Sequence, residues 1–446
     1  MIRIFKVFIP TSILALFVLD LLLISACYVA ADYLVGDGAI LLLYDAPLRI
    51  GLVVGMIFLG LYFSKFYEGG PIPNRTLLFQ NLCYVLGFSF VAEAVLTYWS
   101  ADLGIPLPTM VVGSVLALLG LFGWRILFNI ALQNAVGARR VLFLGLSPAV
   151  LQLATHMREH PEVGLVPIGY LDQDSTHGGA RQPGDSALLR LGSVSDLTYV
   201  IDDLQPHSVI IGNRAELHSN SIETILNLRY GGIQAEDAAA LYETTCGRVC
   251  ASEVRPSELL YSDKLLPGSQ ALNLQTVYST AFAFVAIIVT LPLMILLAAL
   301  LKMSSNEPVL LREQRVGIHG ALFTMYRFRR MSTKDGIQRA TSLGRFLRRF
   351  RLDGLPELFN VLGGDMSVVG PLADRPAFAD RLKQLIPFYQ QRYIVKPGMT
   401  SWAQINNQTN GWVNDVMQRL EFDLYYIKNL SPSLDFFVLL RSATRR

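Results

Sequence analysis

Four long apolar runs fill the first third of the chain. They cover Val7–Val29, Leu48–Phe66, Leu77–Trp99 and Met110–Ile130. Each run is close to the roughly 20 residues that an α-helix needs to cross the hydrocarbon core of a bilayer. The pattern therefore predicts a membrane-embedded α-helical bundle, a four-helix transmembrane region over residues 1–137.

The charges between these runs orient the predicted bundle. Basic residues stand before the first run, after the second and after the fourth: Arg3, Lys6, Lys65, Arg75, Arg139 and Arg140. The other two loops are acidic and hold a single basic residue, Arg49. Because cytoplasmic loops of membrane proteins are enriched in Lys and Arg, we expect both ends of the bundle to face the cytoplasm.

Two acidic residues, Asp20 and Glu93, fall inside the predicted spans. An acid within the membrane is a candidate functional group because its charge is costly there. The alternative role is a hydrogen bond between helices, and we favour it for both side chains.

A fifth apolar run, Ala281–Leu301, stands alone and contains Pro292 near its centre. A single pass would place the basic region 312–351 outside the cell. Proline removes one helical hydrogen bond and clashes with the preceding turn. We therefore predict a broken, re-entrant helix over 279–301, in which Thr290 bonds to a freed backbone group. An ordinary kinked span is the alternative.

Between the fourth and fifth runs the chain has the composition of a soluble domain. Short apolar strands alternate with helical patterns, which predicts a parallel sheet with right-handed crossovers. The predicted strands are Val141–Gly145, Val166–Leu171 and Ser208–Gly212, and a loop is predicted at His177–Ala187. We interpret residues 138–270 as an α/β Rossmann-like cytoplasmic domain. No G-x-G-x-x-G fingerprint follows Gly145, so a regulatory or dimerising module is favoured over dinucleotide binding.

Composition supports the membrane assignment and excludes other classes. The chain of 446 residues is 52% hydrophobic and 16% charged, whereas soluble domains carry about 25% charged residues. A net charge of +3 gives no reason to expect a nucleic-acid partner. Cys246 and Cys250 lack the second Cys or His pair of a zinc site, and four cysteines without a disulfide framework fit a reducing compartment.

The C-terminal third alternates basic and apolar residues. Leu343, Phe346, Leu347 and Phe350 recur at helical spacing among several arginines, which predicts an amphipathic helix on an anionic membrane surface. Arginine also binds phosphate with two parallel hydrogen bonds. Asp353 follows this helix and is a candidate to attack phosphorus or to bind a metal ion.

Several ordered motifs accompany that helix. They are Arg312–Gly317, Tyr326–Met331, Leu358–Leu362, Gly364–Pro371, Val395–Thr400 and Trp402–Asn406. With these motifs, the region Leu274–Leu440 resembles the bacterial sugar transferase family, the polyprenyl-phosphate hexose-1-phosphate transferases. The four-helix start and the Rossmann-like middle resemble the larger membrane members of that family. The stretch Thr290–Met294 is similar to members linked to exopolysaccharide clusters of exosortase systems.

The resemblance implies a fold, a reaction and its partners. Residues 271–446 would form a mainly α-helical, membrane-associated phosphoglycosyl transferase domain in a bacterial inner membrane protein. A UDP-sugar and undecaprenyl phosphate would give undecaprenyl diphosphate-sugar and UMP, which initiates exopolysaccharide synthesis. Asp353 would form a phosphosugar ester, with Mg²⁺ bound beside it. A homodimer is expected by analogy with the large members.

The chain departs from the family pattern at two positions that matter for the chemistry. The family Asp-Glu pair reads Asp353-Gly354, and the Gly-Pro-Arg-Pro motif has Leu372 in place of arginine. Glu357 or Asp365 is the candidate second metal ligand. The candidate phosphate-binding residues are Arg312, Arg315, Arg327, Arg329, Arg375, Arg392 and Lys396. Two hypotheses follow: an active transferase with a rearranged site, or a degenerate member that acts as a scaffold or regulator in polysaccharide assembly.

Overall fold

The chain folds into two compact units, Met1–Cys246 and Gly247–Arg446. This computed structural model describes the following residues: 2–4, 7–9, 11–36, 46–64, 75–99, 104–136, 139–172, 188–212, 219–230, 233–253, 267–304, 307–334, 337–406 and 413–444. The predicted loop at His177–Ala187 lies outside them. Each unit is described by itself below.

The first unit begins with a short antiparallel strand pair and continues with four apolar helices. The strands are β1 (Ile2–Ile4) and β2 (Val7–Ile9), and the helices are α1 (Thr11–Val35), α2 (Ala46–Phe63), α3 (Arg75–Trp99) and α4 (Leu107–Val136). By length and composition α1, α3 and α4 are able to cross a membrane, and α2 is shorter. The four predicted segments are confirmed as helices. The predicted start of the first helix at Val7 is wrong, because Val7 lies in β2.

The helices pack through an apolar interior that contains one buried ion pair. Ile24 and Leu121 are fully buried where α1 and α4 meet. Arg125 of α4 donates to Asp20 of α1 at 2.5 Å, and both side chains are buried. The predicted bond between helices is therefore confirmed for Asp20. Glu93 is also buried, but its carboxylate accepts no hydrogen bond from the described residues.

A five-stranded parallel sheet follows the bundle, with strand order β5-β4-β3-β6-β7. Its strands are β3 (Arg139–Leu144), β4 (Leu165–Asp172), β5 (Arg190–Ser193), β6 (Ser208–Ile211) and β7 (Gln234–Asp237). The accompanying helices are α5 (Pro148–Glu159), α6 (Leu197–Leu204), α7 (Ser219–Tyr230) and α8 (Ala238–Cys246). The predicted parallel sheet is confirmed. Its strand order is that of doubly wound sheets, which favours the Rossmann-like interpretation; that finer assignment stays a prediction.

The second unit combines helices with three pairs of short strands. The helices are α9 (Ser269–Ser304), α10 (Ser342–Arg349), α11 (Glu357–Leu362), α12 (Pro376–Leu385), α13 (Trp402–Asn406), α14 (Val413–Lys428) and α15 (Pro432–Thr444). The strands are β8 (Leu310–Val316), β9 (Leu322–Phe328), β10 (Met331–Lys334), β11 (Ile337–Ala340), β12 (Ser367–Val369) and β13 (Gly398–Thr400). The first two pairs are antiparallel, and β12 runs parallel to β13. The shared core is rich in aromatic residues, among them Trp402 stacked on Tyr425.

The fifth apolar run lies inside α9, a single helix of 36 residues that continues through Pro292. The predicted break is therefore not seen as an interruption of the helix, and the re-entrant path stays a prediction. Thr290 Oγ1 donates to the Ala286 carbonyl at 2.7 Å, one turn back along the helix. The predicted bond to a group freed by Pro292 is wrong, because the Ala286 carbonyl is not the acceptor that Pro292 vacates. Such back-bonds often bend helices.

Candidate active site

Helix α10 is held against the end of strand β9 by its first turn. Thr341 caps the helix, because its hydroxyl accepts a hydrogen bond from the Gly344 N–H at 2.9 Å. Gly344 lies so close to Arg330 that a Cβ would stand 1.9 Å from the Arg330 carbonyl oxygen, so only glycine fits there. Leu347 is buried and Phe346 is exposed. The predicted amphipathic helix is confirmed as a helix with a buried and an exposed side, and its position on a membrane surface stays a prediction.

The chain turns sharply after α10 and delivers Asp353 to the interior. Arg351 has φ of 54°, in the left-handed region that ends helices. A single 3₁₀ turn, Leu352–Gly354, follows, and Asp353 is only 9% exposed. Its carboxylate lies 3.6 Å from the Arg330 Nε. This is its single charged partner among the described residues, so its oxygens keep free lone pairs for attack on an electrophile.

Glu357 stands one turn beyond Asp353, at the start of α11. It is 3% exposed and accepts a short hydrogen bond from Arg327 Nε. Burial raises the pKa of Glu357 above its usual range; Arg327 offsets part of this effect, and the charge of Asp353 adds to it. A Cβ placed on Gly354 would lie 3.4 Å from Glu357 Oε1. The Glu357 carboxylate therefore occupies the space beside the missing side chain at position 354.

Glu357 lines a cavity of about 580 Å³, a size typical of small-molecule sites. The cavity has a cationic part, formed by Arg315, Arg327, Arg375, Arg381 and Arg419. It also has an apolar part, formed by Met325, Met366, Leu372, Ala373, Ala377 and Phe378. A ligand that carries both negative charges and a flat or apolar group matches this lining.

The structure brings together three of the predicted phosphate-binding residues, Arg315, Arg327 and Arg375, in the cavity. Sequence reasoning missed Arg381 and Arg419. Arg381 is exposed on α12 and makes no ion pair with the described residues. Its position six residues after Arg375, close to the Gly-Pro motif, was a usable signal in the sequence. Arg419 lies far along the chain, and its sequence surroundings carry no such signal.

Arg392 was a wrong assignment. Its side chain is 1% exposed and donates to Asp423 at 2.9 Å and to the Leu372 carbonyl at 3.0 Å. It also makes a short ion pair with Asp374. Both terminal nitrogens of Arg392 are thus engaged by carboxylates, Tyr389 and a backbone carbonyl, and its buried side chain is not among the residues that line the cavity. Arg392 instead supports the wall of the cavity that contains Leu372.

Four further candidates lie apart from the residues that line the cavity. Arg329 is buried and bonds to Glu307 at 3.0 Å and to the Leu301 carbonyl at 3.2 Å. It therefore joins the end of α9 to β9, and its assignment to phosphate was wrong. The other three are more accessible: Arg312 lies near the Tyr326 ring, Asp365 is exposed beside Asn360, and Lys396 Nζ lies near Gly364.

The described residues include no group of three or more His, Cys, Asp or Glu side chains that could hold a metal ion. Asp353 and Glu357 supply two neighbouring carboxylates. Mg²⁺ is usually bound through one or two carboxylates, with phosphates and water completing the shell. The donor set therefore fits a cation shared with a phosphate-bearing substrate, and it does not fit a closed protein cage.

Comparisons with known proteins agree with this geometry. The profile of the bacterial sugar transferase family matches residues 271–445, which include the cavity and both carboxylates. A UDP-glucose:undecaprenyl-phosphate glucose-1-phosphate transferase of Xanthomonas campestris pv. campestris is 30% identical over 338 residues, 70% of this chain and 67% of its own length. The match therefore extends beyond the C-terminal third.

Two other relatives carry different sugars in their names. A UDP-N-acetylgalactosamine-undecaprenyl-phosphate N-acetylgalactosaminephosphotransferase of Aeromonas hydrophila is 35% identical over 45% of this chain, which spans about half, 49%, of that relative. An undecaprenyl-phosphate galactose phosphotransferase of Salmonella typhimurium is 29% identical over 55% of this chain and 53% of its own length. On the Xanthomonas match and the family profile together, the chain belongs to the bacterial sugar transferase family.

Proposed function

We propose that this protein transfers a sugar-1-phosphate from a UDP-sugar to undecaprenyl phosphate, and so begins the assembly of an exopolysaccharide. The observation that carries the proposal is an arginine-lined cavity bordered by the carboxylate of Glu357, with which the charge of the buried Asp353 interacts. The names of the relatives support the same substrates. They differ in the sugar, so the proposal leaves the sugar open.

The proposed reaction has two displacements at one phosphorus atom. A carboxylate oxygen of Asp353 attacks the sugar-bearing phosphorus, and the bond to UMP breaks with its electron pair leaving on UMP. The lipid phosphate oxygen then attacks the same phosphorus, and the bond to Asp353 breaks. Arg330 Nε lies 3.6 Å from one carboxylate oxygen of Asp353, which leaves the other oxygen for the attack.

The cationic part of the cavity would bind the negative charge of the donor. Arg315, Arg327, Arg375 and Arg381 face that volume together with Arg419, and guanidinium groups bind phosphate oxygens bidentately. Mg²⁺, where bound, would supply additional positive charge at the phosphates. Asp353 and Glu357 are the residues that would hold it.

The packing of α9 favours the re-entrant path and a cytoplasmic position for the second unit. Gln275, near the start of α9, donates to the Val369 carbonyl at 3.1 Å, and the Leu301 carbonyl, near its end, accepts from Arg329 at 3.2 Å. Packing contacts of α9 with the same unit continue to Ile287 and resume at Met294. The remaining gap is far shorter than the roughly 20 residues of a membrane crossing.

A second candidate function is supported by two residues. Glycine at position 354 provides no side-chain carboxylate, and Leu372 provides no positive charge. Losing one group that stabilises a transferring phosphoryl costs about 3–4 kcal/mol, which is roughly a hundredfold or more in rate. A chain with both losses uncompensated would serve as a scaffold or regulator in polysaccharide assembly.

The deciding experiment measures UMP release from a panel of UDP-sugars with undecaprenyl phosphate and Mg²⁺. We expect release that requires the lipid and that falls to background in Asp353→Asn, because an amide oxygen cannot form the phosphosugar ester. No release from any donor, with release restored by Gly354→Glu, would establish the scaffold function instead.

A further inference from the structure

We propose that Glu357 is the second catalytic carboxylate of this protein and that it binds a divalent cation together with Asp353, in the space that Gly354 leaves open. This inference deepens the proposed transferase function and rests on it. It also explains how a chain with glycine at position 354 keeps two acidic groups at the reacting phosphorus.

The first support is the position of the Glu357 carboxylate. A Cβ on Gly354 would meet only Glu357, with Oε1 at 3.4 Å and Cδ at 3.7 Å. The backbone at position 354 therefore points toward this carboxylate and meets no other group nearby. A glutamate at position 354 and Glu357 would bring their carboxylates into the same small region.

The second support is that one Glu357 oxygen remains unused. Oε1 accepts the hydrogen bond from Arg327, whereas no hydrogen bond from a described residue reaches Oε2. Glu357 lines the cavity, although its side chain is 3% exposed overall. An oxygen that borders a cavity without a protein donor is available to a cation.

The third support is that the other carboxylate of the cavity is fully occupied. Asp374 also lines the cavity, but it accepts from Tyr389 at 2.8 Å and from Tyr393 at 3.1 Å, and it pairs with Arg392 and Arg419. Burial opposes ionisation of Asp374, yet these arginines and tyrosines hold its pKa below the usual range. Glu357 is therefore the cavity carboxylate with coordination capacity.

The test moves the carboxylate between the two positions in the full-length protein. Glu357→Gln keeps an acceptor for Arg327 but removes the negative charge. The double variant, Glu357→Gln with Gly354→Glu, returns one carboxylate to the same region. Asp380→Asn, which removes an exposed carboxylate on α12, is the matched control. Mn²⁺ binding in the presence of UDP, followed by electron paramagnetic resonance, is measured beside UMP release and thermal unfolding.

We expect Glu357→Gln to weaken Mn²⁺ binding about tenfold or more and to lower UMP release about a hundredfold, in protein that thermal unfolding shows to be folded at the assay temperature. The double variant should recover much of the Mn²⁺ affinity and much of the UMP release. Asp380→Asn should match the native chain in both measurements. Unchanged Mn²⁺ affinity in folded Glu357→Gln would overturn the proposal. A double variant that binds Mn²⁺ as weakly as the single variant would also overturn it. Native protein that binds Mn²⁺ through Glu357 but releases no UMP would overturn the transferase function alone.

Discussion

At the scale of single residues, burial decides what each arginine of the second unit does. Arg392 and Arg381 both follow Leu372 of the cavity wall in the sequence. Arg392 is nevertheless enclosed by Asp374, Asp423 and two tyrosines, whereas Arg381 is exposed. An enclosed guanidinium balances buried carboxylates. Its removal takes away the closest charged partner of those carboxylates in a low-dielectric interior.

We therefore expect Arg392→Met to destabilise the protein by about 3–5 kcal/mol, because the buried Asp374 and Asp423 would keep only the more distant and partly exposed Arg419 as a charged partner. The matched control is Lys383→Met, which breaks the exposed pair with Asp380 at 3.4 Å and should cost less than about 1 kcal/mol. Denaturant unfolding monitored by fluorescence measures both. Equal destabilisation by the two variants would contradict the supporting role of Arg392.

A second prediction concerns Asp435 and the pH dependence of the free energy of unfolding. Burial raises its pKa to about 6, although hydrogen bonds from Tyr278, Tyr426 and Gln275 favour the ionised form. The folded state thus holds the proton more tightly than the unfolded state, so this stabilisation is present at low pH and is lost as the pH rises through about 6. Asp435→Asn stays neutral throughout.

Between pH 5 and pH 7.5 the native protein should lose about 1 kcal/mol of unfolding free energy relative to Asp435→Asn. The measurement is denaturant unfolding of both proteins at several pH values, with Asp380→Asn as the control for an exposed carboxylate. Parallel pH profiles for the native chain and Asp435→Asn would show that Asp435 is ionised across this range.

At the scale of elements, α9 carries the prediction that separates a re-entrant helix from a span. Its two ends, Ser269 and Lys302, are exposed. With the native cysteines replaced, Ser269→Cys and Lys302→Cys should both react with a membrane-impermeant maleimide in inside-out vesicles, and neither should react in right-side-out cells. Asp380→Cys reports the side of the second unit. Labelling of the two ends from opposite sides would establish a transmembrane span.

The elements that sequence alone predicted are those with strong periodicity. The apolar helices, the central strands and the amphipathic α10 follow from local patterns of hydrophobic residues. The short strands β8 to β13 were not predicted as strands; in the largely exposed β8, for example, four consecutive polar residues replace the alternation that marks a strand. The continuous helix at Pro292 shows a second limit of prediction from sequence, because a helix can continue through proline when neighbouring groups support it.

At the scale of the whole molecule, sequence predicted the order of a membrane bundle, an α/β domain and a catalytic region. The candidate site was predicted only in part. Asp353, Glu357 and three cavity arginines were identified from motifs close together in the chain. Arg419 and the true role of Arg392 depend on how α14 packs against the loop at Leu372, and no local pattern encodes that contact.

That loop has a consequence for how the donor binds. The Leu372 carbonyl accepts from both Arg392 and Arg419, and the Gly370 N–H donates to the Thr400 carbonyl at 3.0 Å. One wall of the cavity is thus ordered before any ligand arrives. A ligand that binds there loses its own conformational entropy, but its binding does not also have to order this wall of the cavity. Inhibitors that are already rigid in their bound shape should therefore bind more tightly than flexible inhibitors that make the same contacts.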